Sequence, residues 1–188
     1  MKMTSQISRK QFTAAQYHQM IDVGILTDRD RVELLQGEII EMSPIGRQHA
    51  ACVDRLTELF IRELGSSAIV RVQNPIQLSD RSEPQPDFAI LRRRSDFYAN
   101  GHPQPQDIFA LIEVSDTTAN FDRTVKVPLY AQNSIAEVWI VDLNAEVVQT
   151  YREPSSTGYQ RVQDFYQGQR LAFRAFADIQ FAVAQMLR

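Results

Sequence analysis

Apolar residues recur at helical intervals in two segments of the first third of the chain. The first segment, 12–21, has Thr13 as its expected N-cap. The second segment, 49–64, carries an apolar stripe and stops before Gly65, which predicts a long amphipathic helix. Between them, 31–42 has the pattern of two short strands around a glycine turn, and this predicts a hairpin.

The middle of the chain changes between strand-like and helical patterns. Segments 68–78, 86–91 and 108–114 predict strands, 121–132 predicts a helix, and 137–142 predicts another strand. Because 108–114 is almost wholly apolar, we expect both faces of that strand to be covered. The last part of the chain predicts more strands and a short helix, in the segments 146–152, 158–166 and 169–181.

Together these elements predict an α/β fold in which helices pack against a mixed sheet. Its core has the order helix, strand, strand, strand, helix, strand, with an added N-terminal helix and hairpin and added C-terminal strands. The passage from 108 to 142 is expected to be a right-handed parallel crossover. No internal repeat is found, so we predict a single domain over 1–188, with 1–10 as a mobile tail.

Composition narrows the class of protein. The 188 residues are 44% hydrophobic and 23% charged, as in soluble globular proteins. No apolar run approaches the ~18 residues that span a bilayer, and the first residues lack a signal-peptide pattern. Cys52 is the only cysteine, which excludes an intrachain disulfide and a multi-cysteine zinc site. We therefore expect a cytoplasmic protein with no membrane partner.

The charged residues argue against a protein that binds nucleic acid over its whole surface, because the net charge is −3. A phosphate-bearing partner would need a local basic surface. Arg92, Arg93 and Arg94 are the candidates for such phosphate contacts, although a charge run in a loop is more often a solvated face. The chain has three lysines, and Lys126 is the one that lies far from the N-terminal end.

Two carboxylates lie where burial would not be expected to place them. Asp87 begins an apolar strand, and Glu113 is embedded in the most hydrophobic stretch of the chain. An unpaired buried carboxylate costs several kcal/mol. If the two side chains lie level on adjacent strands, a divalent cation between them relieves their repulsion, and oxygen ligands suit Mg²⁺ or Mn²⁺.

Lys126 is a candidate partner for this pair. It follows Glu113 by 13 residues, on the helix directly after that strand, and can reach back over the strand's carboxyl end. In sheets of this kind, binding sites commonly lie at the carboxyl ends of the strands. The alternative is an ordinary solvent-facing helix lysine.

The order and spacing of several short motifs carry a resemblance to a known family. Over roughly residues 12–185 the chain resembles the restriction endonuclease family labelled Uma-two, a branch of the PD-(D/E)XK nuclease superfamily. The matching motifs are Glu33-Leu34-Leu35-Gln36-Gly37-Glu38 with the residues up to Pro44, His49, Pro86-Asp87, Ile112-Glu113-Val114-Ser115, Asp122-Arg123-Thr124-Val125-Lys126 with Tyr130, and 135–142.

The resemblance implies a metal-dependent endonuclease that hydrolyses DNA phosphodiester bonds. Asp87 and Glu113 would bind a divalent metal, usually Mg²⁺ with Mn²⁺ as a substitute. The superfamily's water-positioning lysine falls at Ser115 here, and Lys126 on the next helix would replace it. Superfamily members often act in pairs, so the resemblance also implies a homodimer on DNA as one arrangement.

Other polar residues are weaker candidates for this site. Glu38 is a candidate for an additional carboxylate near the metal, and His49 for a helix cap or a hydrogen-bond donor to the ligands. Asp122 is interpreted as a helix cap. His18 and His102 are interpreted as surface residues.

The sequence also departs from the family's pattern in one loop and one helix end. The turn Ser115-Asp116-Thr117-Thr118 stands where relatives commonly carry Ser-Pro, next to the predicted site. Asn133 replaces a glycine that often ends the helix, and asparagine tolerates the left-handed conformation.

Two other classes of function stay open at this point. One is a nuclease-fold module that binds nucleic acid or a partner protein without cleaving. The other is an acid–base hydrolase such as a glycosidase, which would use Asp87 and Glu113 as its paired carboxylates. That enzyme would need sugar-stacking aromatic residues near the pair and would leave Lys126 without a role.

Overall fold

The computed structural model describes residues 9–27 and 29–187. Most of the predicted mobile tail, residues 1–8, therefore lies outside the described residues. No helix within the described ranges is long and apolar enough to cross a membrane.

A six-stranded mixed sheet forms the centre of the molecule, in the strand order β3-β4-β5-β6-β7-β8. β5 and β6 are parallel, and every other neighbouring pair in this sheet is antiparallel. The predicted α/β fold class with a mixed sheet is thus confirmed, including the parallel pair. The strands are β3 (Ile69–Val72), β4 (Phe88–Leu91), β5 (Ile108–Ser115), β6 (Glu137–Asp142), β7 (Val147–Ser155) and β8 (Gly158–Phe165).

The N-terminal elements follow the sequence pattern closely. Helix α1 (Ala14–Asp22) begins after Thr13, whose side chain and that of Gln16 form a reciprocal capping box. The predicted hairpin is formed by β1 (Val32–Leu35) and β2 (Glu38–Glu41). Glu33 in β1 belongs to the site described below.

The long predicted helix is α2 (Arg47–Leu64), which ends at Gly65 with φ of 49°. The helix between β5 and β6 has three parts, α3 (Ala119–Phe121), a π-helical turn (Asp122–Lys126) and α4 (Val127–Gln132), and is called the crossover helix below. The π-helical turn is a single turn within an otherwise α-helical segment, a feature that is frequent at functional sites.

Both faces of the central strands are buried, as the apolar composition of β5 predicts. One face packs against α2 around Phe60, Phe88 and Trp139. The other face packs against the crossover helix around Leu111 and Tyr130. Successive residues of β5 point to opposite faces, so position along the strand decides which layer a side chain enters.

The predicted strand over 68–78 is wrong beyond its first half. β3 ends at Val72, because Gln73 adopts a left-handed conformation with φ of 47° and Pro75 has no N–H for a ladder. Ile76 and Leu78 are nevertheless buried under the sheet. Apolar alternation in this segment reflects burial of a loop rather than a continued strand.

The C-terminal segment is less regular than predicted for 169–181. Its strands β9 (Arg170–Leu171) and β10 (Phe181–Ala182) have two residues each and pair with each other, not with the main sheet. The segment covers the α2 face of the sheet with Phe173 and Phe181, both fully buried. It ends in the short helix α5 (Val183–Leu187), as predicted.

Candidate active site

Asp87 and Glu113 lie side by side on neighbouring strands. β4 pairs with β5 so that Phe88 is opposite Ile112, and one step further along the register places Asp87 opposite Glu113. Their side chains share the face that carries the crossover helix, since the neighbouring residues Phe88 and Ile112 point to the α2 face. The backbone N–H of Asp87 donates to Glu113 Oε2 over 3.4 Å.

Glu113 is 3% exposed and is held by two residues of the crossover helix. Its Oε1 accepts a hydrogen bond of 2.5 Å from the Tyr130 hydroxyl and lies 3.3 Å from Lys126 Nζ. Burial raises the pKa of Glu113 to about 8, although the Lys126 ammonium opposes this rise. The same burial, together with the Glu113 charge, raises the pKa of Tyr130, which keeps its hydroxyl as a donor.

Asp87 has a full set of donors around its carboxylate. Oδ2 accepts from the backbone N–H of Val114 over 2.8 Å and lies 3.0 Å from His49 Nε2, while Oδ1 accepts from Gln73 Nε2 over 3.0 Å. Burial acts to raise the pKa of Asp87, but the His49 and other hydrogen bonds outweigh it and the pKa lies below its usual value. The hydrogen bond to Asp87 in turn raises the pKa of His49.

Lys126 lies between two buried carboxylates. Its Nζ is 3.3 Å from Glu113 Oε1 and 3.3 Å from Glu33 Oε2, and its side chain is 8% exposed. Burial opposes the charged form, but Glu113 and Glu33 outweigh it, so the pKa of Lys126 lies above its usual range and the ammonium stays charged. The interpretation of Lys126 as a solvent-facing charge is therefore excluded.

Asp122 begins the π-helical turn and is buried beside the pair. It accepts hydrogen bonds from the Ser115 hydroxyl over 2.7 Å and the Thr118 hydroxyl over 2.8 Å. Burial raises the pKa of Asp122. Ser115, at the position where the sequence resemblance implies a lysine in other nucleases, thus fixes the start of the helix that carries Lys126.

These side chains line a cleft of about 830 Å³ at the end of the sheet. Seven acidic residues contribute to its lining, against two basic ones, Arg31 and Lys126. A bound phosphodiester would therefore need additional positive charge. The acidic residues are Asp30, Glu33, Glu41, Asp87, Glu113, Asp116 and Asp122.

The structure brings together most of the predicted site residues but not Glu38. That side chain is 42% exposed, pairs with Arg9, and is not part of the cleft lining. The buried carboxylate that the hairpin contributes is Glu33, on the other strand, while Glu41 at the end of β2 lies exposed at the cleft. Glu33 is 2% exposed, and its Oε2 also accepts from the backbone N–H of Gln85 over 3.0 Å.

The predicted phosphate-contacting arginines lie away from the cleft. They follow Leu91, whereas Asp87 precedes the first residue of β4, so the four-residue length of the strand, about 13 Å, separates them. Arg92 lies over the Phe109 ring, Arg94 pairs with Asp96, and Arg93 is exposed. None of the three arginines lines the cleft.

Sequence reasoning missed Glu33 and Gln73. A signal for Glu33 was available, because it lies directly before Leu34 and Leu35, and a short strand buried on both faces leaves no solvent face for a glutamate. Gln73 gave no such signal, since a left-handed glutamine that reaches back to Asp87 has no local pattern.

The donor set of the cleft fits a hard divalent cation. Asp87 and Glu113 meet on one face of the sheet, and Glu33 lies on the other side of Lys126 from Glu113. The possible ligand atoms of these residues are carboxylate oxygens, which Mg²⁺ and Mn²⁺ prefer. The metal-binding and catalytic roles of Asp87, Glu113 and Lys126 stay predictions.

The protein is thus an α/β protein with a mixed sheet, and the cleft at the end of this sheet holds a buried lysine among carboxylates. A sequence model of the Uma2 family, described as "Putative restriction endonuclease", matches residues 14–184. The chain belongs to this family, which confirms the resemblance found in the sequence and supports a nuclease function in general terms.

A solved structure with the same fold is similar to the chain. It is described as "a putative nuclease belonging to DUF820 from Anabaena variabilis ATCC 29413". The TM-score is 0.67 at 14% identity, and the match covers 88% of this chain and 94% of that one. No curated protein sequence matches the chain.

Proposed function

We propose that the protein is a metal-dependent endonuclease that hydrolyses DNA phosphodiester bonds in the cleft around Asp87 and Glu113. The observation that carries the proposal is the position of Lys126, which is buried and 3.3 Å from Glu113 at the end of β5. Membership of a family described as restriction endonucleases supports the reaction class.

Asp87 and Glu113 are the proposed ligands of Mg²⁺, with Mn²⁺ as a substitute. Because burial raises the pKa of Glu113 to about 8, metal binding at neutral pH would displace the proton from its carboxyl group. A bound metal would lower the pKa of a water molecule and neutralise charge that develops on the phosphate. The excess of carboxylates over basic residues in the cleft is the reason why a cation is needed before a phosphodiester can enter.

Lys126 supplies a fixed positive charge next to the scissile phosphate. Glu33 and Glu113 hold its ammonium from two sides, so the side chain needs no rearrangement when negative charge develops. Its raised pKa keeps it from acting as a base at neutral pH. We therefore assign it electrostatic stabilisation and the orientation of the attacking water.

His49, Gln73 and the Val114 N–H position Asp87. Together they hold both of its oxygens and keep the carboxylate ionised, as a metal ligand must be. His49 acts as a positioning residue, since its contact is with Asp87.

The lining of the cleft argues against a glycosidase. Among the described residues of the cleft, Phe121 is the only phenylalanine, tyrosine or tryptophan, whereas a sugar site needs stacking aromatics. A glycosidase would also leave the Lys126 contacts unexplained. The binding module that does not cleave is separated from the nuclease by the experiments below.

Metal titration by calorimetry tests the ligand assignment. We expect the wild-type protein to bind Mn²⁺ and Mg²⁺ with millimolar or tighter affinity, and Asp87→Asn to abolish this binding. Asp116→Asn is the matched control, because the same chemical change is made in the same cleft at a side chain without a contact to Asp87 or Glu113. Unchanged binding in Asp87→Asn would remove that residue from the site.

Nicking of supercoiled plasmid DNA tests the role of Lys126. Lys126→Met should keep metal binding and lower cleavage at least about 100-fold, the usual effect of removing an electrostatic donor. Arg31→Met removes the other basic residue of the cleft and should lower cleavage much less. Cleavage retained by Lys126→Met would contradict the assignment, and a wild-type protein that shifts DNA in a gel but never nicks it with any divalent metal would favour the binding module.

A further inference from the structure

A second cluster of potential metal ligands lies outside the cleft, where α1 meets the segments on either side of β4. It consists of His18, Glu83 and His102, and each offers one ligand atom within 4.8 Å of the other two. None of the three lines the cleft around Asp87. The cluster is therefore separate from the proposed nuclease site.

Glu83 is the buried centre of this cluster, with a side chain that is 3% exposed. Its backbone N–H donates to the Leu34 carbonyl over 2.7 Å, so the main chain holds the residue against β1. A carboxylate in this position needs positive charge or donors around it, because burial of an uncompensated charge is costly.

The two imidazoles converge on this carboxylate. His18 Nε2 is 2.9 Å from both carboxylate oxygens, and His102 Nε2 is 3.8 Å from Oε1. Their side chains are 45% and 36% exposed, so the cluster is closed on the Glu83 side and open to solvent on the other. The loop that carries His102 is anchored, since the Gln77 N–H donates to the Pro103 carbonyl over 2.9 Å.

We propose that His18, Glu83 and His102 bind a Zn²⁺ ion, with water as a fourth ligand. Two imidazole nitrogens and one carboxylate oxygen are a donor set that zinc accepts, whereas Mg²⁺ prefers oxygen alone. Ligand atoms around tetrahedral zinc lie about 3.3 Å apart. The separations of 2.9 and 3.8 Å from the imidazole nitrogens to Glu83 each differ from this value by about half an ångström, and the two nitrogens lie within 4.8 Å of each other.

The proposed zinc ion ties together three segments that are distant in the sequence. His18 comes from α1, Glu83 from the segment between β3 and β4, and His102 from the loop before β5. Glu83 also pairs with Leu34, the neighbour of Glu33. Zinc bound here stabilises the packing of α1 and β1 and takes no part in the proposed hydrolysis.

Titration of the metal-free protein with Zn²⁺ and Co²⁺ tests the proposal. We expect one tight Zn²⁺ site per chain, and the strong visible absorption of tetrahedral cobalt when Co²⁺ fills it. Zinc at 100 times its dissociation constant should raise the melting temperature by about 5–10 °C.

Asparagine substitutions identify the ligands. His18→Asn and His102→Asn should each weaken zinc binding at least about 100-fold, because loss of an outer-shell partner alone costs 10- to 100-fold. His49→Asn is the matched control, since it changes the chain's third histidine, which lies in the cleft. Glu83→Gln, which keeps the shape of the side chain, should also weaken binding.

This experiment distinguishes the proposed zinc site from the proposed nuclease site. Asp87→Asn should leave zinc binding and the cobalt spectrum unchanged, whatever it does to Mg²⁺ binding. Circular dichroism of the metal-free variants checks that each is folded, and we expect His102→Asn to fold because a backbone hydrogen bond anchors its loop. Wild-type protein that binds no zinc, or zinc binding that survives both His18→Asn and His102→Asn, or that is lost in Asp87→Asn, would overturn the proposal.

Discussion

At the scale of single residues, the site depends on one buried ammonium among carboxylates. Lys126 contacts Glu33 and Glu113, and all three side chains are less than one tenth exposed. Removing one charge from such a group leaves the others uncompensated in a medium of low polarity. The residue that we assign to catalysis is therefore also a residue on which the fold depends.

Lys126→Met should lower the free energy of unfolding by about 3–5 kcal/mol, the usual cost of breaking a buried ion pair from one side. Urea denaturation followed by circular dichroism measures the change. Lys126→Met combined with Glu33→Gln should be less destabilised than Lys126→Met alone, because the second change removes one of the two uncompensated carboxylates. A loss below about 1 kcal/mol would mean that Lys126 contributes no more than a surface lysine.

The sequence revealed those site residues whose burial conflicts with their charge. Glu113 stands out in an apolar strand, and its alternation with the neighbouring residues fixes the face on which it lies. His18 and His102 gave no such signal: neither lies in an apolar strand, and they meet at Glu83 only because three distant segments pack together. Contacts of this kind depend on tertiary structure and not on a local pattern.

At the scale of elements, the β1–β2 hairpin positions Glu33 through its turn. Gly37 has φ of 83°, and its N–H donates to the Arg81 carbonyl while its own carbonyl accepts from Phe12. A Cβ at Gly37 would lie 2.7 Å from the Cβ of Gln11. The turn therefore needs glycine both for its backbone conformation and for the close approach of the N-terminal segment.

Gly37→Ala should be clearly more destabilising than Gly24→Ala, which is the matched control. Gly24 has a similar φ of 75°, but a Cβ added there would meet no described atom within 4 Å, so its substitution costs only the left-handed strain, about 1–2 kcal/mol. Gly37→Ala adds a steric clash worth about 1–3 kcal/mol. Thermal or urea unfolding of the two variants measures the difference, and equal losses would show that the clash is relieved by movement of Gln11.

Element types and order could be predicted from the sequence better than element lengths. The crossover helix follows its apolar period, but no sequence pattern indicated the π-helical turn at Asp122–Lys126, which places both of its terminal residues in buried positions. β3 was predicted too long because Ile76 and Leu78 continue the apolar alternation after the backbone has left the ladder at Gln73. Burial and strand pairing produce the same pattern in a short segment.

At the scale of the whole molecule, the C-terminal segment closes the α2 face of the sheet. Phe173 stacks on Trp139 with ring centroids 4.0 Å apart and also contacts Phe60. Trp139 belongs to β6 and Phe60 to α2. One side chain thus connects the C-terminal segment with both layers of the core.

Phe173→Ala should lower the free energy of unfolding by about 3–5 kcal/mol, as large-to-small changes of buried aromatics do. Phe176→Ala is the matched control: it makes the same change three residues later, where the ring is only partly buried against Phe109. Phe176→Ala should therefore lower the free energy of unfolding clearly less than Phe173→Ala. If both variants lose a comparable amount of unfolding free energy, the stacking of Phe173 on Trp139 is not the main contact between the C-terminal segment and the core.

The charge of the whole molecule sets the conditions under which DNA can bind. The net charge is −3, and the cleft itself has more carboxylates than basic groups, so without divalent cations a duplex is repelled from the site that we propose to cut it. Ca²⁺ takes oxygen ligands as Mg²⁺ does, but in a looser geometry. We therefore expect Ca²⁺ to support DNA binding without cleavage, so that the two can be measured separately.

Affinity for a short DNA duplex should therefore rise at least about tenfold, or about 1.4 kcal/mol, when Ca²⁺ replaces a chelator at constant ionic strength. Fluorescence anisotropy measures this change, and constant ionic strength removes the general effect of salt on phosphate contacts. Asp87→Asn should lose the dependence on Ca²⁺, while Asp116→Asn should keep it. If affinity is equal with Ca²⁺ and with the chelator, the acidic cleft is not where DNA binds, and a basic surface such as that around Arg92 and Arg93 becomes the place to look.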